Sequence, residues 1–422
     1  MVSSGWEEKQ LKDLIKSLDA GVSVNSEDDG NDTADYKILK TSCVSSGTFI
    51  PSQVKSVTLD IEVSRLKEPI ISDSIIISRM NTPALVGANG YIECAPENTY
   101  LPDRLWQVKP KKGVIVMRWL GYWFASSHTR HLLSNLATGT SGSMKNITKL
   151  DVLNTKIKTP PFSEQKKIAA ILSSWDQAIT TTEQLLANSQ QQKKALMQQL
   201  LTAKKRLHDH NGQPFTGEWI TRKLGEIGDI KSAGVDKKMV DGEIPVRLLN
   251  FTDVFRRNFI YSNELDHWVT APETKVKNCD VRKGDVFFTP SSETRGEIGI
   301  SSVAAEDIPE CCYSYHIIRF RIKEQWDLNY KAYAFSSDKF RKQAYRLGDG
   351  SGQRYVISQD GFRSIEIRYP DYEEQVAIGK VLKNSEDIIQ ALKQKLDHLK
   401  QEKKALMQQL LTGKRRVKVE TG

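Results

Sequence analysis

The chain has 422 residues, of which 39% are hydrophobic, and it carries a formal net charge of +9. One hydrophobic core stops growing beyond about 250–300 residues, so this length excludes a single ordinary domain and predicts at least two. The charge favours a polyanionic partner such as nucleic acid, although charge alone does not identify the ligand. No apolar run approaches the ~20 residues of a membrane span, and the cysteines show no Cys-x-x-Cys spacing. We therefore expect a cytoplasmic protein with reduced thiols and no membrane contact.

The first predicted element is a globular module over residues 1–158. Its short apolar runs, such as DSIIISRM from Asp73, are separated by Gly, Asn, Asp and Pro, which is typical of strands joined by turns. A second module, over residues 211–368, contains a corresponding run, GDVFFTP from Gly284. We predict an α/β or α+β fold for both modules, with strands that hold position and loops that differ.

A helical segment follows each module, over residues 159–210 and residues 369–422, and we call these two segments the arms. The ten residues KKALMQQLLT begin at Lys193 and again at Lys403, 210 positions further on, and Pro160 matches Pro370 at the same offset. This period is far longer than that of a solenoid or propeller repeat. The chain is therefore a tandem duplication, for which we predict internal pseudo-twofold symmetry.

Both arms carry a seam that advances by alternating steps of three and four residues, as in a coiled coil. In the second arm the seam is Ile389, Leu392, Leu396, Leu399, Lys403, Leu406 and Leu410. In the first arm it is Ile179, Thr182, Leu186, Ser189, Lys193, Leu196 and Leu200. We predict two long antiparallel α-helices that bury the seams against each other as a spacer, with looser packing at Thr182 and Ser189.

The first arm helix is predicted from Asp176 to Leu207, which is roughly 45–50 Å at 1.5 Å per residue. The alternative, two amphipathic helices inside one globular core, fits less well. Nearly every position outside the seam is Gln, Lys, Asn or Glu, as on a helix exposed around most of its circumference.

The identity between the arms extends beyond the seam, although the modules have diverged almost completely. A recent duplication could leave such identity passively, but we predict that two copies of one partner protein dock on the equivalent helix faces. The residues assigned to this surface are Glu164, Gln165, Lys194, Met197, Gln198 and Leu201 in the first arm, and Glu374, Gln375, Lys404, Met407, Gln408 and Leu411 in the second.

The loops of both modules carry side chains suited to DNA. Arg and Lys pair with guanine, Asn pairs with adenine, and hydroxyl groups reach phosphate. The candidate DNA contacts are Arg79, Asn81, Lys145 and Asn146 in the first module, and Arg247, Asn250, Ser292, Thr294, Arg295, Arg354 and Tyr355 in the second. Each of these residues, taken singly, is also compatible with an ordinary exposed polar position.

Recognisable catalytic motifs are missing from the sequence. It has no Walker-type phosphate loop, no Gly-x-Gly-x-x-Gly after a strand and no Gly-x-Ser-x-Gly elbow. The HTRH segment from His128 to His131 lacks a nearby third ligand for a metal ion. We therefore predict no catalytic residue, no metal site and no cofactor bound by this chain.

Two divergent modules, each followed by an arm with a Pro…Glu-Gln start and a Lys-Lys-Ala-Leu-Met-Gln-Gln-Leu-Leu end, resemble the specificity subunit of type I restriction-modification enzymes. The resemblance covers essentially the whole chain. It implies a non-catalytic DNA-recognition subunit in which each module reads one half of an asymmetric, bipartite target. It also implies that the arms set the number of unspecified base pairs between the half-sites.

The same resemblance implies the partners: double-stranded DNA, two modification subunits and up to two restriction subunits. S-adenosylmethionine, ATP and Mg are expected on those partner subunits. One alternative stays open, a non-catalytic two-module scaffold that binds proteins and whose charge is incidental. A self-contained nuclease or methyltransferase would need motifs that the sequence lacks.

Overall fold

A computed structural model of the chain describes residues 5–28, 34–45, 47–139, 144–232, 234–351 and 353–418. The chain divides into two compact units, the first formed by residues 1–182 and 395–422 and the second by residues 183–394. Each unit contains one module, the first part of one arm and the last part of the other. The predicted boundaries at residues 158, 210 and 368 thus describe sequence segments, and the compact units cut across the arms.

The first unit is built from short strands and helices. Its strands are β1 (Glu7–Gln10), β2 (Ile15–Ala20), β3 (Lys37–Leu39), β4 (Val54–Ser56), β5 (Ser74–Ser78), β6 (Met80–Asn81), β7 (Asn89–Ile92), β8 (Thr99–Tyr100), β9 (Leu105–Pro110), β10 (Lys145–Asn146) and β11 (Lys156–Thr159). Its helices are α1 (Leu11–Leu14), α2 (Asp60–Val63), α3 (Met117–Ala125), α4 (Ser127–Leu136), α5 (Lys149–Leu153) and the beginning of α6 (Phe162–Leu200).

The centre of the first unit is the antiparallel sheet β2-β9-β5-β7. Every residue of β5 is buried, because the strand is covered on both faces. Ile75 and Ile77 face one hydrophobic core together with Trp119 of α3. Ile76 points the opposite way, into a second core that contains Leu39 of the three-stranded sheet β4-β3-β8.

The second unit repeats this plan with more strands. They are β12 (Ile220–Lys223), β13 (Gly228–Lys231), β14 (Ile244–Leu249), β15 (Phe259–Ile260), β16 (Trp268–Ala271), β17 (Asp280–Val281), β18 (Val286–Phe288), β19 (Ser291–Ser292), β20 (Ser301–Ala304), β21 (Ile308–Tyr313), β22 (Ile318–Ile322), β23 (Asp349–Ser351), β24 (Arg354–Val356) and β25 (Glu366–Tyr369). The helices are α7 (Leu224–Ile227), α8 (Phe251–Phe255), α9 (Glu273–Asn278), α10 (Leu328–Ala334), α11 (Asp338–Leu347), α12 (Gln359–Ser364) and the beginning of α13 (Tyr372–Leu410).

Strand β18 occupies the same central position in the second unit that β5 occupies in the first. It lies between β22 and β20 in the five-stranded sheet β13-β22-β18-β20-β15. Phe288 packs into one core with Phe320, and the neighbouring Phe287 packs into another core with Tyr313. That second core also belongs to the sheet β16-β14-β21-β17. The predicted correspondence between the two apolar runs is therefore confirmed.

The long helices α6 and α13 have 39 residues each. The predicted bounds of the first arm helix, Asp176 and Leu207, are wrong at both ends. The helix begins directly after Pro160 and Pro161, and it ends at Leu200, because the chain turns at Ala203, whose φ is 58°. All seam residues are buried or half-buried in both arms.

The packing of the seam at the polar residue Thr182 is not loose, contrary to the prediction. This residue is 3% exposed, and its hydroxyl donates to the carbonyl of Ala178 at 2.7 Å. Within each unit the chain segments run antiparallel, because Glu164 contacts Arg416 in the first unit and Glu374 contacts Arg206 in the second, while a second ion pair in each unit joins residues further along the helices. Lys403 contacts Asp176 in the first unit, and Lys193 contacts Glu386 in the second.

Candidate nucleic-acid interface

The four DNA-contact candidates of the first module come together in space. Strands β6 and β10 pair antiparallel, with Lys145 opposite Asn81 and Asn146 opposite Met80. The amide of Ile147 also donates to the carbonyl of Arg79 at 3.0 Å. This two-stranded ladder, which we call the first ladder, follows the central strand β5 directly, and all four candidates are half-buried.

The first ladder contains two polar side-chain atoms that are buried without a hydrogen-bond partner. The Arg79 guanidinium carbon lies 6.0 Å from the ring centroid of Trp106, and its Nε is buried without a hydrogen-bond partner. Asn146 Oδ1 is likewise buried and unpaired. Lys145 donates to the carbonyl of Gly139 at 3.0 Å. Unpaired buried polar groups cost free energy, and these two atoms carry that cost in the chain by itself.

The second module has an equivalent ladder, which we call the second ladder. Strands β19 and β24 pair antiparallel, with Ser292 opposite Tyr355, and the amide of Ile357 donates to the carbonyl of Pro290 at 2.9 Å. This bond corresponds to the Ile147–Arg79 bond of the first ladder. The second ladder brings together five of the predicted residues: Ser292, Thr294, Arg295, Arg354 and Tyr355.

Arginines dominate the second ladder. Arg354 is exposed and donates from Nε and Nη2 to the hydroxyl of Ser291 at 3.2 and 2.9 Å. The guanidinium carbon of Arg295 lies 4.8 Å from the ring centroid of Tyr345 and 5.7 Å from that of Tyr355. A groove of about 520 Å³ lies beside the ladder, and its lining includes Ser292, Thr294 and Arg354 together with Phe251 and Phe255.

Arg247 and Asn250 are not brought into this group. Arg247 donates to the carbonyl and hydroxyl of Ser262 at 2.9 and 2.7 Å and to the carbonyl of Pro309 at 2.9 Å, so its guanidinium holds loops of the fold. Asn250 is only 9% exposed and donates to the carbonyl of Leu248. In this chain by itself both residues support the sheet that contains β14, and their assignment as DNA contacts stays a prediction.

Sequence reasoning missed one arginine in each module, which holds the loop that follows β6 in the first module and the loop that follows β19 in the second. Arg130 of α4 donates to the carbonyls of Val86 and Ala84 at 3.2 and 3.3 Å, and Arg341 of α11 donates to the carbonyl of Gly296 at 2.5 Å. Burial lowers the pKa of both guanidinium groups. Arg130 lies inside the HTRH segment, and aligning the two modules at an offset of 211 would have revealed the pair.

The Glu-Gln pairs at the start of the arms are buried, so their predicted role as partner contacts is wrong. Glu164 is 1% exposed and Glu374 is fully buried. Glu164 accepts from Trp6 Nε1 at 3.1 Å and from Arg416, and Glu374 accepts from Trp219 Nε1 at 3.0 Å and from Arg206.

The glutamines serve the fold in the same way. Gln165 accepts from the amide of Val116 at 2.8 Å and donates to the carbonyl of Pro160 at 3.0 Å. Gln375 accepts from the amide of Asp327 at 3.1 Å and donates to the carbonyl of Pro370 at 3.0 Å. Each Glu-Gln pair therefore fastens an arm to its module.

The repeated decamer divides into a buried and an exposed part. Leu201 and Leu411 are each 5% exposed and belong to the cores of the two units, and Met197 and Met407 pack against those cores. The remaining predicted partner residues, Lys194, Gln198, Lys404 and Gln408, are exposed. In the first unit, Lys404 and Gln408 border a groove of about 420 Å³ that Trp123 also lines.

The described residues offer little for metal or thiol chemistry. In the described ranges, no group of three His, Cys, Asp or Glu side chains is placed to hold a metal ion. Burial raises the pKa of Cys43 and Cys311 to about 12, so these thiols are poor nucleophiles. Among the same residues, no helix is long and apolar enough to cross a membrane.

Two related α/β modules with different polar ladders, joined to long helices of matched sequence, define a duplicated recognition protein. The family model for the type I restriction modification DNA specificity domain matches residues 3–189 and again residues 216–401. The chain therefore belongs to this family and is a type I specificity subunit with two target recognition domains. Such subunits are non-catalytic DNA-recognition components, which confirms that part of the prediction.

Similar proteins support this assignment. The type I restriction enzyme MjaVIII specificity subunit of Methanocaldococcus jannaschii is 29% identical over 278 residues, which are 63% of this chain and 63% of that protein. A second protein of that organism, which bears the name type I restriction enzyme MjaX specificity subunit, is 25% identical over 437 residues. The match covers 99% of this chain and 95% of that protein. The chain thus spans less than two thirds of the first relative and nearly all of the second.

Solved structures show the same fold. A structure described for complex assembly and conformational transition of the type I R-M system has a TM-score of 0.58 at 17% identity and covers 98% of this chain and 100% of its own. The S subunit of M. genitalium has a TM-score of 0.56 at 15% identity, with 96% of each chain covered. The HsdS subunit of Thermoanaerobacter tengcongensis has a TM-score of 0.51 at 18% identity, with 98% of each chain covered. The predicted fold class is confirmed.

Proposed function

We propose that each module reads one half of a bipartite, asymmetric DNA target, and that the arms fix the number of base pairs between the half-sites. The observation that carries this proposal is the pair of ladders. They have the same backbone pairing and the same position after the central strand, but they carry different side chains. A shared frame with different polar groups is what two readers of different sequences require.

The chemistry of the ladders suits duplex DNA. Lys145 and Arg79 of the first ladder, and Arg295 and Arg354 of the second, supply cationic donors to phosphate and guanine, and Asn81 and Asn146 supply the amide that pairs with adenine. The formal charge of +9 supports association with a polyanion.

Two measurements on the purified chain test this function. Affinity for duplex DNA should fall steeply and linearly on a log–log plot as salt rises, because bound phosphates release counterions. Selection from a randomised duplex library should yield two short blocks separated by a fixed length of unspecified sequence. Retention on DNA that does not depend on salt would support the protein-binding scaffold instead. A single continuous motif would show that the chain does not read two separate half-sites.

The proposal extends to the partners. Two modification subunits would dock on the exposed part of the decamers, at Lys194 and Gln198 in one arm and at Lys404 and Gln408 in the other, since these recurring residues have no role in the cores. The modification subunits would carry S-adenosylmethionine, and up to two restriction subunits would carry ATP and Mg. The assembly would act on DNA in the cytoplasm.

Native mass spectrometry of the chain with its modification subunit tests the docking faces. Lys404→Glu with Gln408→Glu should leave one bound modification subunit, and adding Lys194→Glu with Gln198→Glu should leave none. Lys380→Glu is the control, because this exposed lysine of α13 corresponds to Ala170 in the first arm and does not recur. Two bound subunits in the fourfold variant would contradict the docking faces.

A further inference from the structure

A third segment joins each ladder, and it was not among the sequence-based candidates. It is the turn before β9 in the first module and before β22 in the second. Ile77 pairs with Trp106 on β9, and Phe288 pairs with Ile318 on β22. Counting back two residues from Trp106 and Ile318 makes Arg104 of the first module equivalent to His316 of the second.

Both residues lie against their ladders. The amide of Arg79, at the start of the first ladder, donates to the carbonyl of Arg104 at 3.1 Å, and the Arg104 side chain is exposed. His316 lines the groove beside the second ladder together with Ser292 and Arg354. The turn before each long strand thus brings the backbone of Arg104 next to the first ladder and places His316 in the lining of the groove beside the second.

The surroundings of His316 fit contact with a base. Its ring centroid lies 3.8 Å from that of Tyr315, which is 47% exposed. Burial, followed by the charges of Arg354 and Lys237, lowers the pKa of His316. The imidazole is therefore neutral near pH 7, with one nitrogen that donates and one that accepts a hydrogen bond. A neutral ring is suited to base edges and poorly suited to holding a phosphate.

We propose that Arg104 and His316 occupy one equivalent base-reading position, each reading one base pair in the half-site of its own module. This inference rests on the proposed DNA-reading function. Arg104 has the side chain that pairs with guanine O6 and N7. His316 offers a single donor and a single acceptor, so the two modules would prefer different bases at this shared position.

The test is selection of the full-length chain, and of its complex with the modification subunit, on a randomised duplex library. Arg104→Ala should reduce the base preference at one position of the first half-site by about tenfold or more, as expected for a lost bidentate contact. His316→Ala should relax one position of the second half-site only. The reciprocal variants, Arg104→His and His316→Arg, should change the preferred base at those positions and leave the opposite half-site unchanged.

Two controls separate base reading from other effects. Lys112→Ala removes one positive charge from an exposed position beyond the other end of β9, and His267→Ala removes an exposed imidazole outside the groove. Neither should alter the selected motif. Far-ultraviolet circular dichroism and the thermal unfolding midpoint of each variant report whether the fold is intact.

Each outcome has a distinct meaning. A wild-type chain that selects no bipartite motif overturns the proposed function itself. A wild-type motif that stays unchanged in folded Arg104→Ala and His316→Ala overturns only the base-reading position. An equal loss of affinity for all sequences would make these residues phosphate contacts and would likewise overturn it.

Discussion

Glu164 and Glu374 show at the level of single residues why parts of the two arms are identical. Each carboxylate is buried, and each accepts hydrogen bonds from one tryptophan and one arginine. The arginines, Arg206 and Arg416, lie just beyond the decamers and are 210 positions apart. Since a buried carboxylate needs all of its partners, the Glu, Trp and Arg positions are constrained together in each unit.

Replacing Glu374 by Gln should lower the free energy of unfolding by about 2 kcal/mol. The change removes the charge-assisted bonds to Arg206 and leaves that guanidinium, about a quarter exposed, without its partner. Urea denaturation followed by tryptophan fluorescence measures the loss. Glu373→Gln is the matched control, because Glu373 is exposed at the neighbouring position and should change stability little.

Glu386 makes stability depend on pH in the acid range. Burial alone would raise its pKa, but the hydrogen bond and charge of Lys193 outweigh burial and lower the pKa below its ordinary value. A lowered folded-state pKa adds stability that is present above the unfolded value of about 4.3 and is lost as the pH falls through the folded value.

The wild-type chain should therefore lose more stability than Glu386→Gln between pH 7 and pH 3.5. Other carboxylates titrate in both proteins, so the difference between their urea midpoints isolates Glu386. Parallel midpoints across this range would contradict the prediction.

At the scale of elements, the ends of α6 and α13 differ by one informative residue. Ala203 and Gly413 both have left-handed backbone, with φ of 58° and 71°. This conformation costs an alanine about 1–2 kcal/mol, which a glycine at the same position would not pay. Glycine also has greater conformational freedom in the unfolded chain, which offsets about half of the stability gained by replacing the alanine.

Ala203→Gly should thus raise the free energy of unfolding by up to about 1 kcal/mol. The reciprocal Gly413→Ala should lower it. The thermal unfolding midpoints of the two variants check both signs, and a lower midpoint for Ala203→Gly would show that the alanine side chain contributes packing that outweighs its backbone strain.

The arm helices also allow a test of the spacer. Seven residues inserted between Asp176 and Lys193, together with seven between Glu386 and Lys403, keep the heptad phase and the ion pairs within each unit. The insertion lengthens each helix by about 10 Å, which corresponds to about three base pairs. Library selection should return the original half-sites separated by about three additional base pairs. An unchanged spacing would show that the arms do not set it.

Much of the molecule could be predicted at the scale of the whole chain. The decamer at Lys193 and Lys403 revealed the duplication, and the spacing of Ile389, Leu392 and Leu396 predicted the seam that the structure buries. These features are visible because helical periodicity is local in the sequence. The apolar run at Ile75–Ile77 likewise indicated a central strand.

Features that depend on distant pairing were harder to predict. The register that places Lys145 opposite Asn81 joins residues far apart in sequence, and nothing local identifies their partner strand. Burial also misled the assignment of Glu164 and Glu374, because recurring polar residues at the start of a helix suggest a surface. The role of Arg130 was hidden for a related reason, since the loop that it holds has diverged between the modules.

The division of the chain into units has a consequence for the order in which the protein matures. The core of the first unit includes Leu410 and Leu411, and its Glu164 is bound by Arg416. At about 5–20 residues per second, a ribosome needs about 10–40 s after Thr182 to reach the segment that begins at Lys395. During this interval the first unit lacks one of its two segments, so its final closure waits until the segment from Lys395 has been synthesised.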